Sequence, residues 1–272
     1  MKVIVKADFP EAIGAVIEFN YPKQVEVVID VKIQESLTPV PDDTVRFFVL
    51  SQPEGYYNKI VRENTRCYSY LLHPFEELFD LPNNHLFVGC GSFFLPTPVM
   101  PKKFGVSTIM SGRLGLPGHY IRRELFHRRN EIKIPFDFYL GTVNRLADEF
   151  YTLELPTLGW GKDEKMRAFD CMFHIAIDSY RRDYHFSEKL IDCFMTKTIP
   201  IYWGCTNIEK WFIREGMFCV ETVDHIINCV NSLTEESYYS WRINQYVDCN
   251  YHRALEHYNY SDMLKRAILD IL

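Results

Sequence analysis

Between Asp178 and Gly204 the chain crowds cationic side chains onto the opening of an apolar helix. The run Ser179-Tyr-Arg-Arg-Asp-Tyr-His-Phe-Ser-Glu-Lys carries Arg181, Arg182 and Lys189, and Leu190, Ile191, Phe194 and Met195 follow at helical spacing. Ser187 is predicted to be the N-cap, its hydroxyl matched to an unpaired N–H of the first turn. Glu188 suits the positive end of the helix dipole, whereas Lys189 in the same turn does not. Such a mismatch costs only about 0.3 to 1 kcal/mol at an exposed terminus, so solvated surface cations are one reading of these residues. The other reading is chemical. Helix N–H groups, a lysine and two arginines just after a buried strand are the usual means of holding a diphosphate.

The elements that must position these groups alternate along the whole chain, as in parallel α/β architecture. A first set has strands expected at Lys2–Lys6, Val25–Ile33, Val45–Ser51, Tyr68–Leu72 and Leu86–Gly89, with helical pieces at Tyr56–Glu63 and Phe75–Phe79. A Pro- and Lys-rich loop from Pro96 to Lys103 closes it. A second set opens with a strand at Val106–Met110 and a helix near Gly118. It continues through strands at Phe136–Leu140 and Met172–Ile177, a helix from Ser187 to about Thr196, and strands at Ile199–Trp203 and Met217–Val220. The tail from Asp262 to Leu272 has Met263, Ala267, Ile268 and Ile271 on one helical face. Two doubly wound domains facing a cleft fit this pattern, with 1–103 as the first, 104–258 as the second and 259–272 as a closing helix. In such sheets ligands bind beyond the carboxyl ends of the strands, which directs attention to the residues after Ile177 and Trp203. Tyr202, Trp203 and Gly204 end a nearly all-apolar strand, and a glycine there lets backbone approach a ligand. Trp203 itself reads as core, and Thr206 and Asn207 read as caps.

The stretch from Asp178 to Phe194, followed by Lys197-Thr-Ile-Pro-Ile-Tyr-Trp-Gly204, closely resembles the donor-binding motif of the family 10 fucosyltransferases (α-1,3/4-fucosyltransferases). That motif runs Glu-Asn, a spacer, Tyr-Val-Thr-Glu-Lys, an apolar helix and Ile-Pro-Ile-Tyr-Trp-Gly. A weaker likeness reaches back through Ser107–Ser111 and Tyr120-Ile-Arg-Arg, and faintly to Phe48–Glu54. The resemblance implies a GT-B fold of two Rossmann-like domains, with the closing helix packing back toward the first. It implies acceptor binding by the N-terminal domain, guanosine-diphosphate fucose binding by the C-terminal one, and inversion of the anomeric centre without a catalytic metal. Carried over by position, Glu188 binds the nucleotide ribose and Lys189 the diphosphate. Asp178, Ser179 and His185 stand where the family has Glu, Asn and Tyr, and these departures bear on sugar and base selectivity.

In such a transfer a carboxylate takes the acceptor proton while cations and helix N–H groups absorb charge on the departing diphosphate. The chain contains no Asp-x-Asp pair, so arginine and lysine are expected to do this work and no cofactor is expected beyond the nucleotide-sugar co-substrate. Lys189 is nominated first, then Arg182, Arg122 and Arg145, with Arg181 behind them. Arg122 resembles the arginine of the family's Ile-Arg-Asn segment, and Arg145, after Gly141-Thr-Val-Asn, loosely resembles one in its Gly-rich segment. Each arginine has a surface alternative. For the base, Gln52 falls at the family's glutamate position and Glu54 is expected to take over, ahead of His73, Glu76 and Glu77. The donor site is thus Ser179, Arg181, Arg182, His185, Phe186, Ser187, Glu188, Lys189, Arg145, Tyr202 and Gly204. Glu54, Lys189 and Arg122 are the catalytic group, and no metal ligands are assigned. A donor such as uridine-diphosphate xylose, or a glycan-binding protein that keeps the fold without turnover, are the alternatives.

Composition limits the other classes. The 272 residues are 47% hydrophobic and 15% aromatic, enough for one large core or two small ones. A net charge of -6 disfavours binding through nucleic-acid phosphates, and no apolar run reaches membrane-spanning length. The sequence therefore reads as soluble and cytoplasmic, with a removed Golgi anchor left open. The eight cysteines form no C-x-x-C pair or zinc-like cluster and read as reduced core residues. Gly89-Cys-Gly91 lacks the third glycine and the helix of a dinucleotide fingerprint, which argues against a nicotinamide enzyme.

Overall fold

The computed structural model describes residues 3–6, 22–50, 55–88, 101–141, 155–159, 162–243, 245–257 and 260–272. They fall into two units, Met1–Ser92 with Tyr258–Leu272, and Phe93–His257.

In the first unit the β-branched and aromatic runs form strands β1 (Val3–Lys6), β2 (Gln24–Ile29) and β3 (Thr44–Val49), then helix α1 (Gly55–Glu63), β4 (Tyr70–His73) and β5 (Asn84–Leu86). The strands lie in sequence order, every pair parallel. The second strand is shorter than the apolar run from Val25 to Ile33 predicts. Asp30 adopts φ +47, in the left-handed region that a strand cannot continue through, and the chain passes into a 3-10 segment at Asp30–Ser36. The helical piece expected at Phe75–Phe79 is a single 3-10 turn, Glu76–Leu78.

The second unit contains β6 (Lys103–Met110), α2 (Pro117–His127), β7 (Phe136–Gly141), β8 (Thr157–Leu158), α3 (Lys162–Met166) and β9 (Cys171–Ile177). These lead to α4 (Glu188–Met195), β10 (Ile199–Trp203), β11 (Phe218–Cys219), α5 (Val223–Asn231), α6 (Glu235–Ile243) and α7 (Tyr246–His257). Its parallel sheet runs β11-β10-β9-β6-β7-β8. Counted from its own first strand this is the doubly wound order 3-2-1-4-5-6, whose winding reverses between β6 and β9. Ligands of such sheets lie beyond the carboxyl ends of those two strands. Burial on both faces explains the apolar sequences: all seven residues of β9 and all five of β10 are buried.

The tail forms α8 (Tyr260–Ile271), and Tyr260, Leu264 and Ile268 pack into the first unit's core with Val25, Val27, Val45, Phe47 and Leu72. Met263, Ala267 and Ile271 flank that contact, so the closing helix returns to the N-terminal sheet as expected. The seven cysteines among the described residues are free thiols. Among those residues no helix is long and apolar enough to cross a membrane.

Candidate donor site

Asp178, the first residue after β9, is fully buried and organises the carboxyl edge of the second sheet. Its amide donates to the Trp203 carbonyl at 2.8 Å, joining β9 to β10 beyond the last ladder pair. One carboxylate oxygen accepts from the Ser187 hydroxyl and the other from the Tyr202 hydroxyl at 2.5 Å. Tyr202 in turn accepts from the Cys205 amide at 2.8 Å. Burial pushes the Asp178 carboxyl above its ordinary range, while Lys189 and the two hydroxyl donors pull the other way. Two glycines make this crowding possible. A side chain at Gly118 would collide with the Asp178 carbonyl oxygen, and one at Gly204 would meet Asp178 Oδ2 and the Tyr202 hydroxyl.

The close approach at Gly118 brings the start of α2 against the chain leaving β9, with the Gly118 amide donating to the Ser179 carbonyl at 2.9 Å. From the same helix Arg122, 5% exposed, donates through Nε at 3.1 Å and Nη2 at 2.6 Å to the Ile177 carbonyl. Burial lowers its pKa to about 10, against the opposing charges of Asp178 and Glu188. Arg122 therefore caps the end of β9 and places its charge beneath the site. His119, one turn earlier, accepts from the Leu116 amide through Nδ1 at 3.3 Å. Burial first, and then Arg122, Arg113 and Lys189, push its pKa down to about 4, so it is neutral at pH 7.

The start of α4 is built as the sequence predicts. Ser187 is the N-cap, and its Oγ lies 3.4 Å from the Lys189 amide. Lys189 Nζ lies 3.2 Å from Ser187 Oγ and 2.9 Å from Glu188 Oε1, the side chains being 28% and 22% exposed. Burial raises the Glu188 pKa, but Lys189 and Lys165 outweigh it and bring the value to about 2. This mouth is therefore half-buried, with Glu188 ionised at neutral pH.

The loop between β9 and α4 is stitched to the loop after β10. The Thr206 amide donates to the Arg182 carbonyl at 3.2 Å, and the Tyr184 amide to Asn207 Oδ1 at 3.0 Å. Tyr184 has φ +60, which that side-chain bond helps to hold. Phe186 is core, packed on Trp211 and Phe212 at 5.5 Å from each ring. His185 is buried, and burial with Arg182 and Lys189 lowers it to about 3. Arg182 stacks over Tyr180 at 4.7 Å. Arg181 pairs with Glu221 at 2.5 Å and lines a pocket of about 140 Å³ beyond β10 and β11, together with Gly204, Thr206, Arg214 and His225.

Asp178, Ser179, Ser187, Glu188, Lys189, Arg122, Tyr202 and Gly204 are thus gathered at one sheet edge, while Arg181 stands to the side. Arg145, Gln52, Glu54 and the Gly89-Cys-Gly91 fragment lie outside the described residues. Sequence reasoning missed Arg113, His119 and Lys165. Arg113 sits between Gly112 and Gly115 in the loop that follows β6, and its signal was legible: glycines directly after the first strand of a doubly wound set. Lys165 is far from the motif along the chain and carries no such signal.

No protein-family model matches this sequence, and no curated protein matches it. Solved structures do. The crystal structure of TarM matches with a TM-score of 0.64 and 9% identity over 90% of this chain, which spans 54% of the TarM chain. An α1,3-fucosyltransferase with GDP-fucose matches with a TM-score of 0.52 and 16% identity over 93% of this chain and 78% of that one. The lipopolysaccharide outer core galactosyltransferase WaaB, in its apo form, gives 0.52 and 11% over 91% and 75%. At such identities the likeness is one of fold, and the chain has the mixed α/β, two-sheet GT-B fold.

Proposed function

We propose that this chain is an inverting glycosyltransferase that moves a sugar, L-fucose from guanosine-diphosphate fucose, onto a hydroxyl of an oligosaccharide acceptor, without a catalytic metal. The acceptor oxygen attacks the anomeric carbon from the face opposite the leaving group. A new C–O bond forms, the bond from that carbon to the diphosphate oxygen breaks, and its electron pair departs with the diphosphate. The acceptor proton passes to a carboxylate, for which Glu54 is our assignment.

The observation that carries this reading is the convergence of two helix N-termini and their cations at the winding reversal of the second sheet. The openings of α2 and α4 both face the end of β9, and Arg113, Arg122 and Lys189 all act on His119 between them. A diphosphate there meets N–H dipoles, an ammonium and a neutral imidazole, which stabilise charge that grows as the sugar leaves. Lys189 is the direct phosphate ligand. Arg122, with two donors committed to the Ile177 carbonyl, contributes its field. Glu188 takes the ribose hydroxyls, and the polar pocket past Gly204 offers Arg181, Arg214 and His225 to the sugar.

The second reading keeps the mechanism and changes the donor to one such as uridine-diphosphate xylose. A buried histidine at position 185, where the resembled motif has tyrosine, favours keeping it. Calorimetric titration with guanosine, uridine, adenosine and cytidine diphosphates tests both. Tightest binding of the guanosine compound supports the first and of the uridine compound the second, and no binding by any of them rejects the transferase. Hydrolysis of the bound nucleotide sugar then separates an enzyme from a binding protein.

A further inference from the structure

Glu188 and Asp192 are four residues apart on α4, so two carboxylates share one face of the helix, a spacing at which like charges repel. Asp192 is fully buried. What allows this arrangement is a lysine from another element. Lys165 on α3, its side chain 14% exposed, forms an ion pair with Asp192 and also acts electrostatically on Glu188. A short helix that precedes β9 is thereby tied to the underside of the helix that follows it.

The pairing gains a role when the donor is considered, and here the inference rests on the nucleotide-diphosphate reading above. Lys189 donates to both Ser187 and Glu188, and a diphosphate would compete with that carboxylate for its ammonium. Arg122 also acts on Glu188, but its Nε and Nη2 are engaged with the Ile177 carbonyl. Lys165 is held by its own ion pair with the buried Asp192. We propose that Lys165 is a positioning residue of the donor site: its ion pair with Asp192 anchors α4 and so holds the Glu188 carboxylate, one turn earlier, toward the ribose while the diphosphate competes for Lys189.

The test is calorimetric binding of guanosine diphosphate and uridine diphosphate to the full chain, with thermal melts as a check on folding. Lys165→Met should weaken the better-bound nucleotide about tenfold, and Lys165→Arg should restore it to within roughly threefold of the parent. Because the effect passes through Glu188, combining Lys165→Met with Glu188→Gln should bind no more weakly than the worse single variant. Multiplying effects would overturn the inference, as would unchanged affinity in Lys165→Met. Lys165→Met leaves a buried acid without its partner, so the pair Lys165→Met with Asp192→Asn is the safeguard against misfolding. If that neutral pair binds like the parent, Lys165 serves only to neutralise Asp192 and the proposal fails; if binding stays weak in a stably folded protein, it stands. Absence of nucleotide binding by the parent would instead reject the transferase reading and this inference together.

Discussion

Each unit of the molecule holds a cluster of charge on or beside its sheet, and the two clusters are finished differently. In the first, Glu26 and Arg46 stand on neighbouring strands at 5% exposure each, joined by an ion pair. Lys6 closes the other oxygen of Glu26 at 2.5 Å, and Arg46 Nη1 reaches the carbonyls of Ser36, Thr38 and Cys67 at 3.2, 2.7 and 3.0 Å. Every one of these partners belongs to the unit itself. In the second, Lys189 hydrogen-bonds only within its own helical turn among the described residues, at the open end of a strand and a helix. Charge closed on its own backbone holds strands together, whereas charge left at the strand ends with two helix dipoles behind it is the arrangement that an anionic ligand would require.

The contrast is sharpest in acid. In the second unit burial, aided by nearby cations, lowers His119 to about 4 and His174 and His185 to about 3, while the first unit has His73 at about 4. These folded values lie below the ordinary 6.5, so below that pH the unfolded chain binds protons that the folded chain refuses. The stability is intact above pH 6.5 and is lost as pH falls toward the folded values, by about 2 kcal/mol per histidine at pH 5. Asp192, raised to about 6 by burial, takes a proton below that pH and offsets part of the loss. Hydrogen exchange at pH 7.5 and pH 5 should therefore show β9 and α4 losing protection before β2 and β3. Equal loss in both units would remove the distinction.

Cutting the closed cluster should come next in size. Arg46→Met leaves Glu26 buried with Lys6 alone and should cost about 3 to 5 kcal/mol of stability, read by denaturant titration. Nucleotide binding by the folded fraction should not change. A loss of binding at constant stability would mean that the first unit's cluster is not purely structural.

The sequence was most legible where a single physical rule governs a segment. The apolar run Ile199–Trp203 is the observed strand, because a strand covered on both faces has no polar positions to blur its ends. The tail helix was legible from its single apolar face. Of the helices after β11, α5 carries a local signal, with Thr222 as a cap and Val223, Ile226, Ile227 and Val230 at helical spacing. In α6 and α7 the aromatic and polar residues mix without a clean apolar stripe, and tertiary packing decides. Within the site the Ser187 cap was readable because capping is local. Arg113 was legible from the glycines around it, whereas the role of Lys165 depends on α3 meeting α4, a tertiary contact that no local pattern encodes.

Lys189→Ala tests the open cluster directly. It should weaken nucleoside-diphosphate binding by about 1.5 to 3 kcal/mol, the range for charge-assisted hydrogen bonds, and leave the melting temperature nearly unchanged. A large drop in stability with intact binding would put Lys189 in the same class as Arg46.

Arg181→Ala should have the smallest effect. Its side chain is 37% exposed and its partner Glu221 is 68% exposed, so solvent screens the pair and its loss should change stability by no more than about 1 kcal/mol. The residue lies on the rim of the pocket past Gly204 and not at the mouth of α4, so affinity for the nucleoside diphosphate alone should hold. Affinity for the intact nucleotide sugar is the sharper measurement, because the proposed arrangement assigns this pocket to the sugar. A fall with the sugar and none without it would extend the open cluster to Arg181, and equal falls with both would move Arg181 to the diphosphate itself.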